Sequence, residues 1–255
     1  MMERLFLHTL SPKHRPVVLF SLHALSATPM VCDKAMTIAK AWEPFGSGSF
    51  IGEPLAGDLL RSVAYRYVNV SFVKPRRNEC LRGLWQRRVV VRVIENEVAM
   101  IDAVRVRYST EVGGMSGSHV VVGVEAVVFE RISMVDQIRH MALADVLIAP
   151  HGAGLSNIVF MTPRSCLYEL VSPYWQIEPY MRLAKSAGLL YMRDVGEGVN
   201  GTDMRIVKAN RRGSLNPTRN LNYVMNQTLV TERVGECMRA VWREKYGFEV
   251  FSVCS

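Results

Sequence analysis

Residues 145–161 read Asp-Val-Leu-Ile-Ala-Pro-His-Gly-Ala-Gly-Leu-Ser-Asn-Ile-Val-Phe-Met, and few folds accommodate such a run. Val146–Ala149 is a short, continuous apolar stretch, the pattern of a strand buried on both faces. It ends in a turn made of Pro150, His151, Gly152, Ala153 and Gly154, after which Leu155–Met161 reads as the opening of a helix. A small-residue turn between a buried strand and a helix start lets the backbone approach an anion. The free N–H groups and the positive end of the helix dipole both face it. Pro163 punctuates the helix, and Cys166–Val171 reads as the next strand, stopping at Ser172-Pro173.

Three kinds of site use such a turn. It can be a plain strand-to-helix connection in which the histidine fixes local hydrogen bonds. It can be the oxyanion loop of an α/β-hydrolase, but that fold also needs a Gly-x-Ser-x-Gly elbow. Gly113-Gly-Met-Ser-Gly-Ser118 and Gly46-Ser-Gly-Ser49 do not fit that spacing, so a hydrolase is disfavoured. Or it can hold the diphosphate of a nucleotide-sugar. The Gly-x-Gly-x-x-Gly order of a dinucleotide-binding dehydrogenase is missing.

The rest of the chain alternates strand-like and helix-like segments. Val17–Leu22 reads as a strand, Asp33–Trp42 as a short helix, residues 43–58 as a loop, and Val63–Val73 as an alternating strand. Val89–Val93 is a β-branched run expected to be the first strand of the main domain, followed by a helix over residues 95–105. His119–Phe129 is Val-rich strand material. Ser133 with Asp136 is a variant capping box opening a helix with Val135, Ile138, Met141 and Ala142 on one face. Further helices are expected over residues 176–186, stopped by Gly188, and over Thr231–Lys245. Such alternation implies a parallel, right-handed, Rossmann-like sheet.

Several blocks, in order, carry a family likeness: Arg92-Val-Ile-Glu-Asn-Glu97, Ser133-Met-Val-Asp-Gln137, Ala144 to Asn157, Phe160-Met-Thr-Pro163, Tyr168-Glu-Leu, and Ala187-Gly-Leu-Leu-Tyr191. Together they resemble glycosyltransferase family 61 over roughly residues 87–191. The resemblance implies inverting transfer of xylose or N-acetylglucosamine from a UDP-sugar to a hydroxyl of a glycan or protein. It also implies a GT-B fold of two facing Rossmann-like domains, mostly without a required metal. Residues 86–255 are then expected to be the nucleotide-sugar-binding, C-terminal half of such an enzyme. Residues 1–85 are expected to be a partial acceptor-side region, because 255 residues are few for two full domains and an anchor. The competing reading is a catalytically inactive nucleotide-sugar-binding or scaffold protein that retains the fold.

Within this frame the diphosphate is expected against Gly152, Ala153, Gly154, Leu155 and Ser156, with His151 donating to a phosphate. Asn157 braces the loop or touches the donor. Glu169, late in its strand, either accepts two ribose hydroxyls or forms an edge salt bridge. Arg92 is the candidate catalytic residue, neutralising the departing diphosphate, with Arg87 or Arg88 as substitutes for that role; otherwise it is a surface strand residue. Asn96 and Glu97 read as a helix start, and Tyr174 and Trp175 as stacking residues or as a plug at the domain edge. The base that deprotonates the acceptor is not assigned to any residue. No metal and no cofactor beyond the UDP-sugar donor are expected.

A formal charge of +8 raises the question of nucleic acid. The basic residues are scattered in pairs such as Arg76-Arg77, Arg87-Arg88 and Arg211-Arg212, without interleaved stacking aromatics, so no nucleic-acid partner is expected. Five widely spaced cysteines lack any Cys-x-x-Cys, which argues against structural zinc. Asn69, Asn200 and Asn226 open three N-glycosylation sequons where about one is expected by chance, which leans toward the lumen of the Golgi or endoplasmic reticulum. A membrane anchor is possible in a longer protein. The apolar run at Val17–Leu25 is too short to span a bilayer, which takes about 20 residues.

Overall fold

The computed structural model describes residues 54–70, 81–109, 123–174, 179–199 and 220–246. The segments expected at Val17–Leu22 and Asp33–Trp42 lie outside them, as does Trp175. The described elements are α1 (Pro54–Tyr67), β1 (Arg82–Arg87), α2 (Glu97–Ser109), β2 (Gly123–Val128) and α3 (Met134–Leu143). They continue with β3 (Val146–Pro150), a 3-10 helix (Ala153–Phe160), β4 (Cys166–Val171), α4 (Pro179–Ser186) and β5 (Leu190–Val195). The short strands β6 (Glu197–Gly198) and β7 (Tyr223–Val224) and the long helix α5 (Gln227–Tyr246) complete them.

Five strands form one all-parallel sheet in the order β2-β1-β3-β4-β5, as the alternation of apolar runs and amphipathic segments implies. β3 and β4 are buried at every position, which is why their sequences are continuous apolar runs. Helices cover both faces. One core holds Leu147, Leu155, Phe160, Leu167 and Leu183 together with Ala64 and Tyr65 of α1. The other holds Trp85, Ile148, Tyr168 and the α5 stripe Val234, Met238 and Val241.

The chain leaves β1 toward β2, then returns across β1 to β3, so connections depart in opposite directions from β1 and β3. A crevice opens at the carboxyl ends of two such strands, and ligands bind there in doubly wound sheets. Arg87, Arg88 and His151 lie at this point.

Several local expectations are corrected. Of the segment read as an alternating strand, Val63–Val73, residues 63–67 belong instead to α1, and residues 71–73 lie outside the described residues. Arg61, Ala64 and Tyr65 of α1 and Val68 just past its end are buried, a helical spacing of three, one and three that the period-two pattern masked. The first strand of the sheet is β1 and not Val89–Val93, whose Val89 and Val90 are exposed and whose residues form the turn after β1. The boundary drawn at residue 86 therefore cuts through β1, and α1 packs on the same core as the sheet. Arg61 of α1 donates to the carbonyls of Val159 and Ala187, and the Tyr65 hydroxyl to that of Phe160.

The helix expected from Leu155 is a 3-10 helix. The return from the end of β3 to the start of β4 must cover about 17 Å, the length of a five-residue strand. As a 3-10 helix its eight residues advance about 16 Å, nearly the whole return, where an α-helix would advance about 12 Å. The capping box at α3 forms as read: Asp136 N–H donates to Ser133 Oγ, whose hydroxyl donates to the Asp136 carboxylate. That bond, ahead of the nearby Arg139, holds the Asp136 carboxyl below its ordinary range. Gly188, at φ 70°, takes the left-handed position that ends α4.

Cys166 of β4 and Cys237 of α5 form a disulfide across 71 residues, with both side chains fully buried. Closing a loop of that length stabilises by about 4 kcal/mol on chain-entropy grounds. The Cys166→Ala/Cys237→Ala protein is therefore expected to lose about 2–4 kcal/mol in urea unfolding, with an earlier midpoint. An unchanged midpoint would mean that the crosslink contributes nothing to the fold.

Candidate functional site at the strand switch point

His151 follows the last residue of β3, and its backbone N–H, its carbonyl and its ring Nδ1 are all engaged. Its N–H donates to the Leu170 carbonyl at 2.8 Å, continuing the ladder to β4. Its carbonyl accepts from two guanidinium groups, Arg88 Nη1 and Arg92 Nη1, each at 3.2 Å. Its ring Nδ1 meets Glu169 Oε1 in a short bond. The Tyr180 ring of α4 stands edge-on to it at 5.2 Å.

Glu169 has no exposed surface and lies on the face of β4 that carries Leu167. Its second oxygen accepts from the Tyr191 hydroxyl of β5 at 2.5 Å. Tyr191 of β5, Glu169 of β4 and His151 just past β3 thus form a polar chain centred on the buried Glu169. Sequence reading had assigned Glu169 to ribose or an edge salt bridge. The structure places it inside, bonded to His151, and shows Tyr191 as a partner that the motif contained without declaring its role.

Arg92 sits in the turn after β1 at φ 56°, a left-handed conformation costing a non-glycine residue about 1–2 kcal/mol. The turn is held by Arg92 N–H to Asn220, Val93 N–H to the Asn222 side chain, and Glu95 N–H to Tyr223. Asn96 exchanges two bonds with the Met225 backbone, at 2.7 and 3.1 Å. Glu97 begins α2 and receives Trp85 Nε1 and Arg87 Nε at 3.1 and 2.7 Å. Asn96 and Glu97 are thus the scaffold of the turn, as the helix-start reading held. Arg87 is committed to Glu97, so the second cation beside Arg92 is Arg88.

The loop residues divide by role. Gly152, Ala153 and Gly154 precede the first internal bond of the 3-10 helix, which is Leu155 N–H to the Gly152 carbonyl at 2.9 Å. Leu155 itself is fully buried in the core, so its side chain does not face a ligand. Ser156 hydrogen-bonds Tyr180, whose hydroxyl is pushed up by burial despite that bond and the nearby arginines. Asn157 is a brace: its amide donates to Gln137 Oε1 at 2.7 Å, and Gln137 donates in turn to the carbonyls of Phe129 and Ile132. Tyr174 is buried in the core beside Gly198, which fits the plug and not the stacking role.

The two glycines have a further reason to be small. A Cβ on Gly152 would overlap the Arg88 guanidinium, and one on Gly154 would overlap the Gln86 amide. The loop is therefore open toward this chain's own side chains, which reach across from β1.

A family model described as Glycosyltransferase 61 matches residues 6–168, reaching well upstream of the point where the sequence resemblance begins. The Beta-1,2-xylosyltransferase of Arabidopsis thaliana is 42% identical over 60 residues, 24% of this chain and 11% of that protein. Beta-1,2-xylosyltransferase RCN11 of Oryza sativa subsp. japonica is 30% identical over 122 residues, 48% of this chain and 21% of that protein. The matched part spans about a fifth or less of the length of these relatives.

Substitution separates the two glycines. In Gly152→Ala the half-exposed Arg88 head swings toward solvent, so stability should change by less than about 1 kcal/mol while Arg88 leaves the His151 carbonyl. In Gly154→Ala the displaced amide is the buried Gln86, and a loss of about 1–3 kcal/mol is expected. Thermal unfolding of both variants checks the order, and a larger loss for Gly152→Ala would contradict it.

Proposed function

Because the chain belongs to the glycosyltransferase 61 family, we propose that its switch-point site holds the diphosphate of a UDP-sugar and that the protein moves the sugar, with inversion, to a hydroxyl of a glycan or glycoprotein. The observation that carries this reading is the convergence of Arg88 and Arg92 on the His151 carbonyl beside Gly152–Gly154. Two guanidinium groups and the turn's N–H groups then face one crevice, the donor set a diphosphate requires. Both named relatives are called β-1,2-xylosyltransferases, which favours xylose over N-acetylglucosamine as the sugar.

In the proposed reaction the acceptor oxygen attacks the anomeric carbon from the face opposite the diphosphate. The carbon–oxygen bond to the β-phosphate breaks, and its electron pair stays on UDP. Negative charge grows on that oxygen as the bond lengthens, and fixed cations lower the barrier most when they are in place beforehand. Arg92 is suited to this, because the turn bonds and the reciprocal Asn96–Met225 pair hold its strained backbone. The acceptor hydroxyl loses its proton to a base that no described residue is assigned to. His151 donates to a phosphate through Nε2, since Nδ1 belongs to Glu169. A purely binding role is not favoured, because the family match includes both arginines and the loop.

The proposed compartment is the lumen of the secretory pathway. A buried disulfide persists where the surroundings are oxidising. Asn69 and Asn226, which open two of the sequons, are exposed. Among the described residues no helix is long and apolar enough to cross a membrane.

Calorimetric titration with UDP tests the site. His151→Ala should weaken UDP by one charge-assisted bond, about 1.5–3 kcal/mol. Arg92→Ala should lower turnover of a UDP-sugar more than it weakens UDP, with Arg92→Lys restoring only part of the rate. Equal losses in binding and turnover would make Arg92 a ground-state contact, and unchanged UDP affinity in folded His151→Ala would remove the site.

A further inference from the structure

We propose that Glu169 is a positioning residue that holds the His151 imidazole and stabilises its charged form against the bound diphosphate, and that it does not read the ribose. The inference rests on the diphosphate site proposed above. A carboxylate that binds ribose needs its oxygens within reach of the ligand. Glu169 has no exposed surface, and each of its oxygens already has a partner within the chain. An ionised carboxylate only accepts, so both partners must bring protons, Tyr191 through its hydroxyl and His151 through Nδ1. That fixes the tautomer and leaves Nε2 as the nitrogen that meets the ligand.

A neutral Nε2 would present a lone pair to a phosphate oxygen. When the anion arrives, Nε2 takes a proton from solvent and donates it in a hydrogen bond, and the positive ring then lies between the diphosphate and Glu169. The groups around the ring suit this. Glu169 stands on β4, Tyr191 on β5 and Tyr180 on α4, while Arg88 and Arg92 from the turn after β1 bind the carbonyl and not the ring. Tyr191 keeps the carboxylate from rotating away, and Tyr180 limits the ring on its other side.

The test compares UDP and 2′-deoxy-UDP on the wild type, Glu169→Gln, His151→Ala and the double variant, with nitrogen NMR of the His151 ring. Glu169→Gln should weaken UDP on the order of tenfold, and add nothing further in the His151→Ala background. The ratio of UDP to 2′-deoxy-UDP affinity should stay at its wild-type value. With UDP bound, the wild-type ring should show both nitrogens protonated at neutral pH, and the Glu169→Gln ring only one. A ratio that collapses in Glu169→Gln, with a loss that persists without His151, would overturn the proposal in favour of ribose binding. Wild-type affinity in Glu169→Gln beside a weak His151→Ala would overturn it while leaving the diphosphate site standing. Wild-type affinity in His151→Ala would take both down. If Glu169→Gln does not fold, Tyr191→Phe serves: a smaller loss that vanishes in the His151→Ala background supports the proposal, and an additive loss overturns it.

Discussion

A carboxylate without exposed surface in the middle of a parallel sheet is the constraint from which the geometry of this site follows. Burying an ion among apolar side chains is costly unless its oxygens are met by hydrogen-bond donors. Glu169 meets that condition with one residue from each side, Tyr191 of β5 and His151 just past β3. The consequence is geometric. The His151 ring is held between Glu169 and Tyr180, its backbone continues the ladder to Leu170, and its carbonyl is left to the turn after β1. Arg88 and Arg92 gather on that carbonyl, so the cations lie where the histidine's orientation puts an acceptor for them.

The opposite end of the sheet is organised by a different cluster. Lys245 of α5 donates to Asp145, Thr162 and Ser165 at 2.6, 2.7 and 3.2 Å, and Asp145 also accepts the Arg82 N–H. With the disulfide from β4, these bonds lock α5 across β3 and β4. The segment entering α5 is the one that Asn96 holds through Met225. Helix α5 is thus fastened at one end to the base of the sheet and at the other to the turn bearing Arg92. Asp145 and Asn96, which the family likeness includes, serve the site from a distance by fixing the elements that carry its arginines.

How much of this was legible in the residues depends on whether a signal is local. The strand, turn and strand at 146–171 are written in a continuous apolar run, three small residues and a proline, so their placement and the parallel sheet followed directly. Helix α3 was legible from Ser133 and Asp136 because a cap is a contact within four residues. The stretch at 61–68 was not, since Tyr, Arg and Val in alternation satisfy a strand pattern while Arg61 completes a helical one only if an arginine is allowed inside. Its burial depends on the carbonyls of Val159 and Ala187, about a hundred residues away, which no local pattern announces. Glu169 was singled out as a polar residue late in its strand, without the partners the structure gives it. Nothing near it in sequence says that His151 and Tyr191 bracket it, because that follows from strand order. Arg88 was named only as a substitute for Arg92, and what separates it from Arg87 is the reach of Glu97 back across α2's first turn.

The glycines show why a loop of this kind needs more than open space for an anion. Gly152 and Gly154 are filled from β1 by Arg88 and Gln86, so the loop and the strand opposite form one packed unit. A guanidinium seated against a backbone without a Cβ is held close to the turn's N–H groups, and its charge and theirs then act on the same small volume. Arg92 reaches that volume from a left-handed backbone position that the protein maintains at a cost of about 1–2 kcal/mol. In the proposed transfer, strain kept at such a place serves a cation that stands ready before charge develops, since a group that has to move during the reaction lowers the barrier less. The small residues of the turn, the strained arginine and the buried carboxylate are therefore linked parts of one arrangement that fixes positive charge at the switch point.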